Sequence, residues 1–104
     1  MQVEKIHTKQ ELLDVLFQHG TRIKSYGVVS LGIFGSFIKE TYTEDSDVDF
    51  LVDFESTKKS FDNFMDLSFF LEDLLGRKVE LVTPQSLSKF IGPHILKEVQ
   101  HVSL

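Results

Sequence analysis

Two aspartates separated by one residue, Asp47 and Asp49, follow a Gly35-Ser36 pair after ten intervening residues. Residues i and i+2 of a strand point to the same face, about 6 to 7 Å apart at the backbone. Their oxygens can converge on hard cations. Magnesium takes oxygen ligands in octahedral geometry, commonly one or two carboxylates plus substrate phosphates. The Gly-Ser pair complements them. A strand that ends in Gly35-Ser36 and turns into a helix exposes backbone N–H groups that suit phosphate. The third candidate is Glu80, an acid in the otherwise apolar run Val79 to Val82. An unpaired carboxylate is costly to bury, and a metal would supply the compensating charge.

These residues need elements to hold them. Val28 to Phe34 is apolar and rich in β-branched residues, with Gly27 and Gly35 as bounds, and reads as a buried strand. Asp47 to Phe54 alternates: Val48, Phe50, Val52 and Phe54 share one face, and Asp47, Asp49, Leu51 and Asp53 the other. Thr41 to Ser46 is polar loop. Ser60 caps a long amphipathic helix that ends at Gly76, and Lys78 to Val82 forms a third strand, with Lys78, Glu80 and Val82 on one face. At the N-terminal side, Thr8 and Glu11 suggest a capping box that opens a helix to about His19. Leu12, Leu13, Leu16 and Phe17 share its face, and Gly20 closes it. A short helical turn covers Thr21 to Tyr26. Pro84 begins a last helical region, broken near Gly92-Pro93 and ending near Val102. The order α-β-(α)-β-α-β-α predicts a small α/β (α+β) domain spanning residues 1–104, with a mixed sheet flanked by helices.

The motif Gly35-Ser36, ten residues, Asp47-Val48-Asp49, then a long helix and VELVTP (Val79 to Pro84), resembles the nucleotidyltransferase superfamily that includes DNA polymerase beta. More closely it is similar to the minimal nucleotidyltransferases of the MNT type, which are encoded beside HEPN-domain partners. The resemblance runs from Gly27 to Val102. It implies a polymerase beta-like fold, Asp47, Asp49 and Glu80 as metal-binding acids, and Gly35 and Ser36 as the phosphate-binding turn. It further implies two Mg2+ ions, ATP as substrate, and transfer of AMP to a hydroxyl of a HEPN toxin that this chain would neutralise as antitoxin. The alternative is a non-catalytic antitoxin, or a nucleotide-binding module, that acts by occlusion of its partner. The family often carries an arginine where Lys39 stands and an aspartate where Glu80 stands. Lys39, a candidate phosphate contact beside Gly35 and Ser36, keeps the charge without the bidentate fork, and Glu80 adds one methylene.

Composition bounds the rest. The 104 residues carry a net charge of −5 and no cysteine, which excludes disulfides and thiolate catalysis. The acidic balance, with Lys58-Lys59 as the only basic cluster, makes nucleic acid an unlikely main partner. The first ten residues hold no apolar signal region and no run is long enough to span a bilayer, so a cytoplasmic protein is expected. His7, His19, His94 and His101 lack ligand-like spacing. On the Ser60–Gly76 helix, Phe64, Leu67, Leu71, Leu74 and Leu75 form a core stripe. Phe69 falls instead among Asp62, Asp66 and Asp73, which predicts an exposed ring serving a protein interface, with a HEPN partner or a second copy.

Overall fold

The computed structural model describes residues 5–104. The reading of the N-terminal stretch rests in part on residues 1–4, which lie outside that range. Helix α1 (Lys9–Gln18) starts where Thr8 Oγ1 accepts the N–H of Glu11 at 3.1 Å, and Glu11 answers by accepting the N–H of His7 at 2.8 Å. Leu12 and Leu16 are fully buried on its inner face. Phe17 is not: it is 68% exposed, so the apolar face is narrower than the sequence pattern implies. Gly20 opens α2 (Gly20–Lys24) rather than closing α1.

Strand β1 (Val28–Phe34) runs into the single-turn helix α3 (Ser36–Lys39), and the chain returns as β2 (Val48–Phe54). These pair antiparallel, with Phe34 opposite Asp49, Ile33 opposite Phe50 and Leu31 opposite Val52. After a 3-10 turn (Ser56–Lys58), α4 (Phe61–Leu75) begins on Ser60, whose Oγ accepts the N–H of Asn63 at 3.1 Å, and ends on Gly76 in the left-handed region. Its face of Leu67, Leu71 and Leu75 is fully buried. It carries the chain across to β3 (Val79–Val82), which lies parallel to β2. Pro84 starts a 3-10 turn (Pro84–Ser86), and α5 (Gly92–Glu98) follows. The chain closes with β4 (Gln100–His101), antiparallel to β1. The sequence reading carries the last helix to about Val102 with a break near Gly92-Pro93. Instead Gly92-Pro93 opens α5, the helix stops at Glu98, and Gln100–His101 pair with β1, because two residues carry no periodicity of their own. The mixed sheet has the order β3-β2-β1-β4, and the α+β class expected from sequence holds.

The sheet's two faces differ in chemistry. Leu31 and Ile33 of β1 join Val48, Phe50 and Val52 of β2 on the core face, all fully buried. Burial of each such side chain contributes about 1.5–3 kcal/mol, so this face holds the sheet to α1 and α4. The other face carries Asp49, Asp53 and Glu80. Its β1 part is closed by the chain leaving α5: a Cβ on Gly32 would collide with the side chain of Val99. Among the described residues no helix is long and apolar enough to cross a membrane.

Candidate active site

Gly35 sits between β1 and α3 at φ 76°, ψ −148°. A side chain there would be strained by the positive φ. It would also strike Asp49 Oδ2, because Asp49 stands next to the end of β1 in the β1–β2 ladder. Glycine therefore permits the turn and the close approach of an aspartate together. A four-residue helix has little stability of its own. What fixes α3 is Phe37, fully buried and stacked on Tyr42 with ring centroids 4.3 Å apart and planes 5° from parallel. Ser36 is half-buried at the first position of α3, and its carbonyl accepts the N–H of Thr41 at 3.0 Å.

Asp49 and Glu80 are register partners across the parallel β2–β3 ladder. Adjacent strands lie about 4.8 Å apart, so side chains of register partners meet on one face. Burial pushes the carboxyl of Asp49 up to about 6, with the charge of Glu80, a hydrogen bond to Glu80, and the charges of Asp47 and Glu98 adding to the rise. Asp47 is exposed and lies one residue ahead of β2, not within it. Glu80 is also exposed, on an edge strand. It is thus not the buried lone acid that its apolar flanks suggest. Among the described residues no three His, Asp or Glu side chains already converge as a closed metal-binding group. The donor chemistry nevertheless fits a divalent cation: carboxylate oxygens are hard ligands, and a cation there would relieve the neighbouring negative charge that helps to raise the carboxyl of Asp49. Asp47, Asp49 and Glu80 are the residues that would hold it.

Lys39 is exposed, and its Nζ lies 3.5 Å from Glu98 Oε2. The other oxygen of Glu98 accepts the N–H of Gly35 at 3.3 Å. The sequence offers no signal for this acid, which comes 63 residues after Gly35.

Arg77 is the second residue that sequence reasoning misses. It is buried, 6% exposed, directly after the cap of α4. Its Nε donates to Ile6 O at 2.9 Å, and its Nη1 to Thr43 O at 2.9 Å, Glu44 O at 3.3 Å and Ser46 O at 2.8 Å. The guanidinium carbon lies 5.1 Å from the centroid of the Phe37 ring. One arginine thus ties the loop that delivers Asp47 to the helix that holds the Gly-Ser turn. Ser46 is spent within that loop, its Oγ accepting the N–H of Thr43 at 2.8 Å. Two of the histidines have partners elsewhere. His7 pairs with Glu44 at 3.0 Å, and His19 Nδ1 lies 2.9 Å from Val15 O.

A mixed sheet with a Gly-Ser turn set against a strand aspartate defines a nucleotide-transferring class of domain. The family model described as a nucleotidyltransferase domain matches residues 18–101. The chain belongs to that family. It is 41% identical over 96 residues to the protein adenylyltransferase MntA of Thermococcus cleftensis, covering 91% of this chain and 96% of the relative. A relative from Methanocaldococcus jannaschii is 35% identical over 95 residues, 89% of this chain and 92% of its own. Among solved structures, one described as a minimal nucleotidyltransferase superposes with a TM-score of 0.81 at 27% identity, covering 93% of this chain and 98% of that one. A toxin–antitoxin structure with AMP-PNP shares the fold at a TM-score of 0.66 and 20% identity, covering 91% and 72%.

Proposed function

We propose that this chain is a magnesium-dependent adenylyltransferase that moves AMP from ATP to a hydroxyl on a protein acceptor, a HEPN-domain toxin for which it serves as antitoxin. The observation that carries the reading is the pairing of Asp49 with Glu80 on one face of β2–β3, with Gly35 pressed against Asp49. Two acids beside a glycine turn at a strand end are what this reading of nucleotidyl transfer uses. The relatives support the acceptor class: one carries the name protein adenylyltransferase, and a fold neighbour is a toxin–antitoxin structure with AMP-PNP.

In this reading Gly35 N–H, the Ser36 hydroxyl and Lys39 hold the triphosphate. Asp47, Asp49 and Glu80 hold the metal, which when bound neutralises phosphate charge and lowers the pKa of the attacking hydroxyl. The acceptor oxygen forms its bond to the α-phosphorus as the bond to the bridging oxygen breaks, and pyrophosphate leaves. The hydroxyl proton passes to a carboxylate, and this reading assigns that role to Glu80. Arg77 keeps the loop before Asp47 in place.

A second reading, occlusion of the toxin without transfer, draws on the exposure of Glu80 and the open arrangement of the three acids. Intact-mass measurement of the partner after incubation with ATP and magnesium separates the two. Steps of one nucleoside monophosphate support transfer; a complex without a mass change supports occlusion.

A further inference from the structure

We infer that Glu98 is a built-in occupant of the phosphate-binding turn, whose carboxylate holds Gly35 N–H and Lys39 until the triphosphate of an incoming nucleotide displaces it. The inference rests on the nucleotide site proposed above and deepens it.

Glu98 Oε1 accepts the N–H of Gly35 at 3.3 Å, and its Oε2 lies 3.5 Å from Lys39 Nζ. These are two of the three groups assigned to the triphosphate. A carboxylate and a phosphate oxygen are both anionic acceptors, and a single N–H cannot serve both well. Glu98 also stands near enough to Asp49 to add to the negative charge there. A side chain placed beside other acids is held by specific contacts or not at all. Here the contacts are Gly35 N–H and Lys39. Arrival of a triphosphate removes both and adds like charge, so sterics and electrostatics act in the same direction.

The backbone need not move for this. Glu98 is the last residue of α5, and the next residue, Val99, is anchored over Gly32. Its side chain retains 26% exposure, which leaves a route to solvent through rotation of its own torsions. The consequence is a tax on nucleotide affinity. The apparent Kd exceeds the intrinsic one by the inverse of the fraction of molecules with Glu98 swung out. A bare turn beside Lys39 would accept any small anion; an occupied one favours a ligand that also binds the metal-holding acids.

The test uses wild type, Glu98→Gln and Glu98→Ala in isothermal titration calorimetry with magnesium AMP-PNP, magnesium tripolyphosphate and adenosine. Both variants are expected to bind the two triphosphate ligands roughly three- to tenfold tighter than wild type, with any adenosine affinity changed less than twofold. The Gly35 amide signal in an NMR spectrum of ligand-free Glu98→Ala is expected to move from its wild-type position. Equal or weaker triphosphate binding by both variants, with wild type binding normally, overturns the role of Glu98 and leaves the nucleotide site standing. Absence of triphosphate binding in all three proteins, with the Gly35 signal still displaced in the variant, overturns the nucleotide site and this inference with it.

Discussion

Asp49→Asn should stabilise the protein in the absence of divalent cations, and the gain should depend on pH in one direction. The carboxyl of Asp49 is raised from 3.8 to about 6 by burial and by neighbouring acids, Glu80 first. A raised carboxyl pKa means that the native state binds more proton than the unfolded chain between these values. Stability then falls as pH rises through that window, and the full cost is present above about pH 6. At about 1.36 kcal/mol per pKa unit the shift corresponds to an upper bound of about 3 kcal/mol. Asp49 is only partly buried, and solvent screening reduces that figure. An expected gain for the asparagine variant is about 1–2 kcal/mol at pH 7.5, or roughly 5 to 10 °C in Tm for a domain of this size. At pH 4 the native wild-type carboxyl is protonated and the difference should largely vanish. The assay is thermal unfolding by circular dichroism across pH 4 to 8 in EDTA, repeated with millimolar magnesium. Magnesium should raise the wild-type Tm and leave the variant nearly unchanged. A variant that is no more stable than wild type at pH 7.5, or equally more stable at pH 4, refutes the assignment of electrostatic strain to this cluster.

Glu80→Asp should retain transfer or raise it, whereas Glu80→Ala should lose most turnover and still bind ATP; equal turnover by the alanine variant would make Glu80 a bystander on an edge strand. Arg77→Leu should cost about 2–4 kcal/mol in urea unfolding, because it strips hydrogen bonds from four carbonyls. Hydrogen exchange in residues 41–47 should accelerate in that variant, and Arg77→Lys should restore little. Phe69 is 55% exposed on α4 between exposed Asp62, Asp66 and Asp73, and Phe69→Ala should change stability by less than about 0.5 kcal/mol. The same change should weaken association with the partner, or with a second copy, by more than about 1 kcal/mol, measured by calorimetry.

What the sequence could disclose follows from how local its causes are. β1 carries a run of apolar residues between two glycines, and its bounds match the reading residue for residue. α4 announces itself through Ser60 and Gly76, each of which acts within one helical turn. The Gly35-Ser36 turn follows from its residue types, whereas Asp47 falls one residue before β2 and the Asp49–Glu80 pairing comes from a parallel register that no local signal sets. Other features have no local cause. β4 exists only because β1 offers it an edge. Glu98 and Arg77 act across 63 and more than 30 residues, and nothing in their neighbours' types predicts which carbonyl or N–H they reach. The exposure of Phe17 and of Glu80 fails for the same reason: periodicity gives a face, and only packing decides whether anything covers it.

The most direct test of the central claim is the intact mass of the proposed HEPN-domain partner after incubation with this chain, ATP and magnesium, beside the Asp47→Asn, Asp49→Asn double variant. Wild type should add mass in steps of one adenosine monophosphate, and the double variant, though folded, should add none. An unmodified partner with wild type, or equal modification with the double variant, contradicts the account.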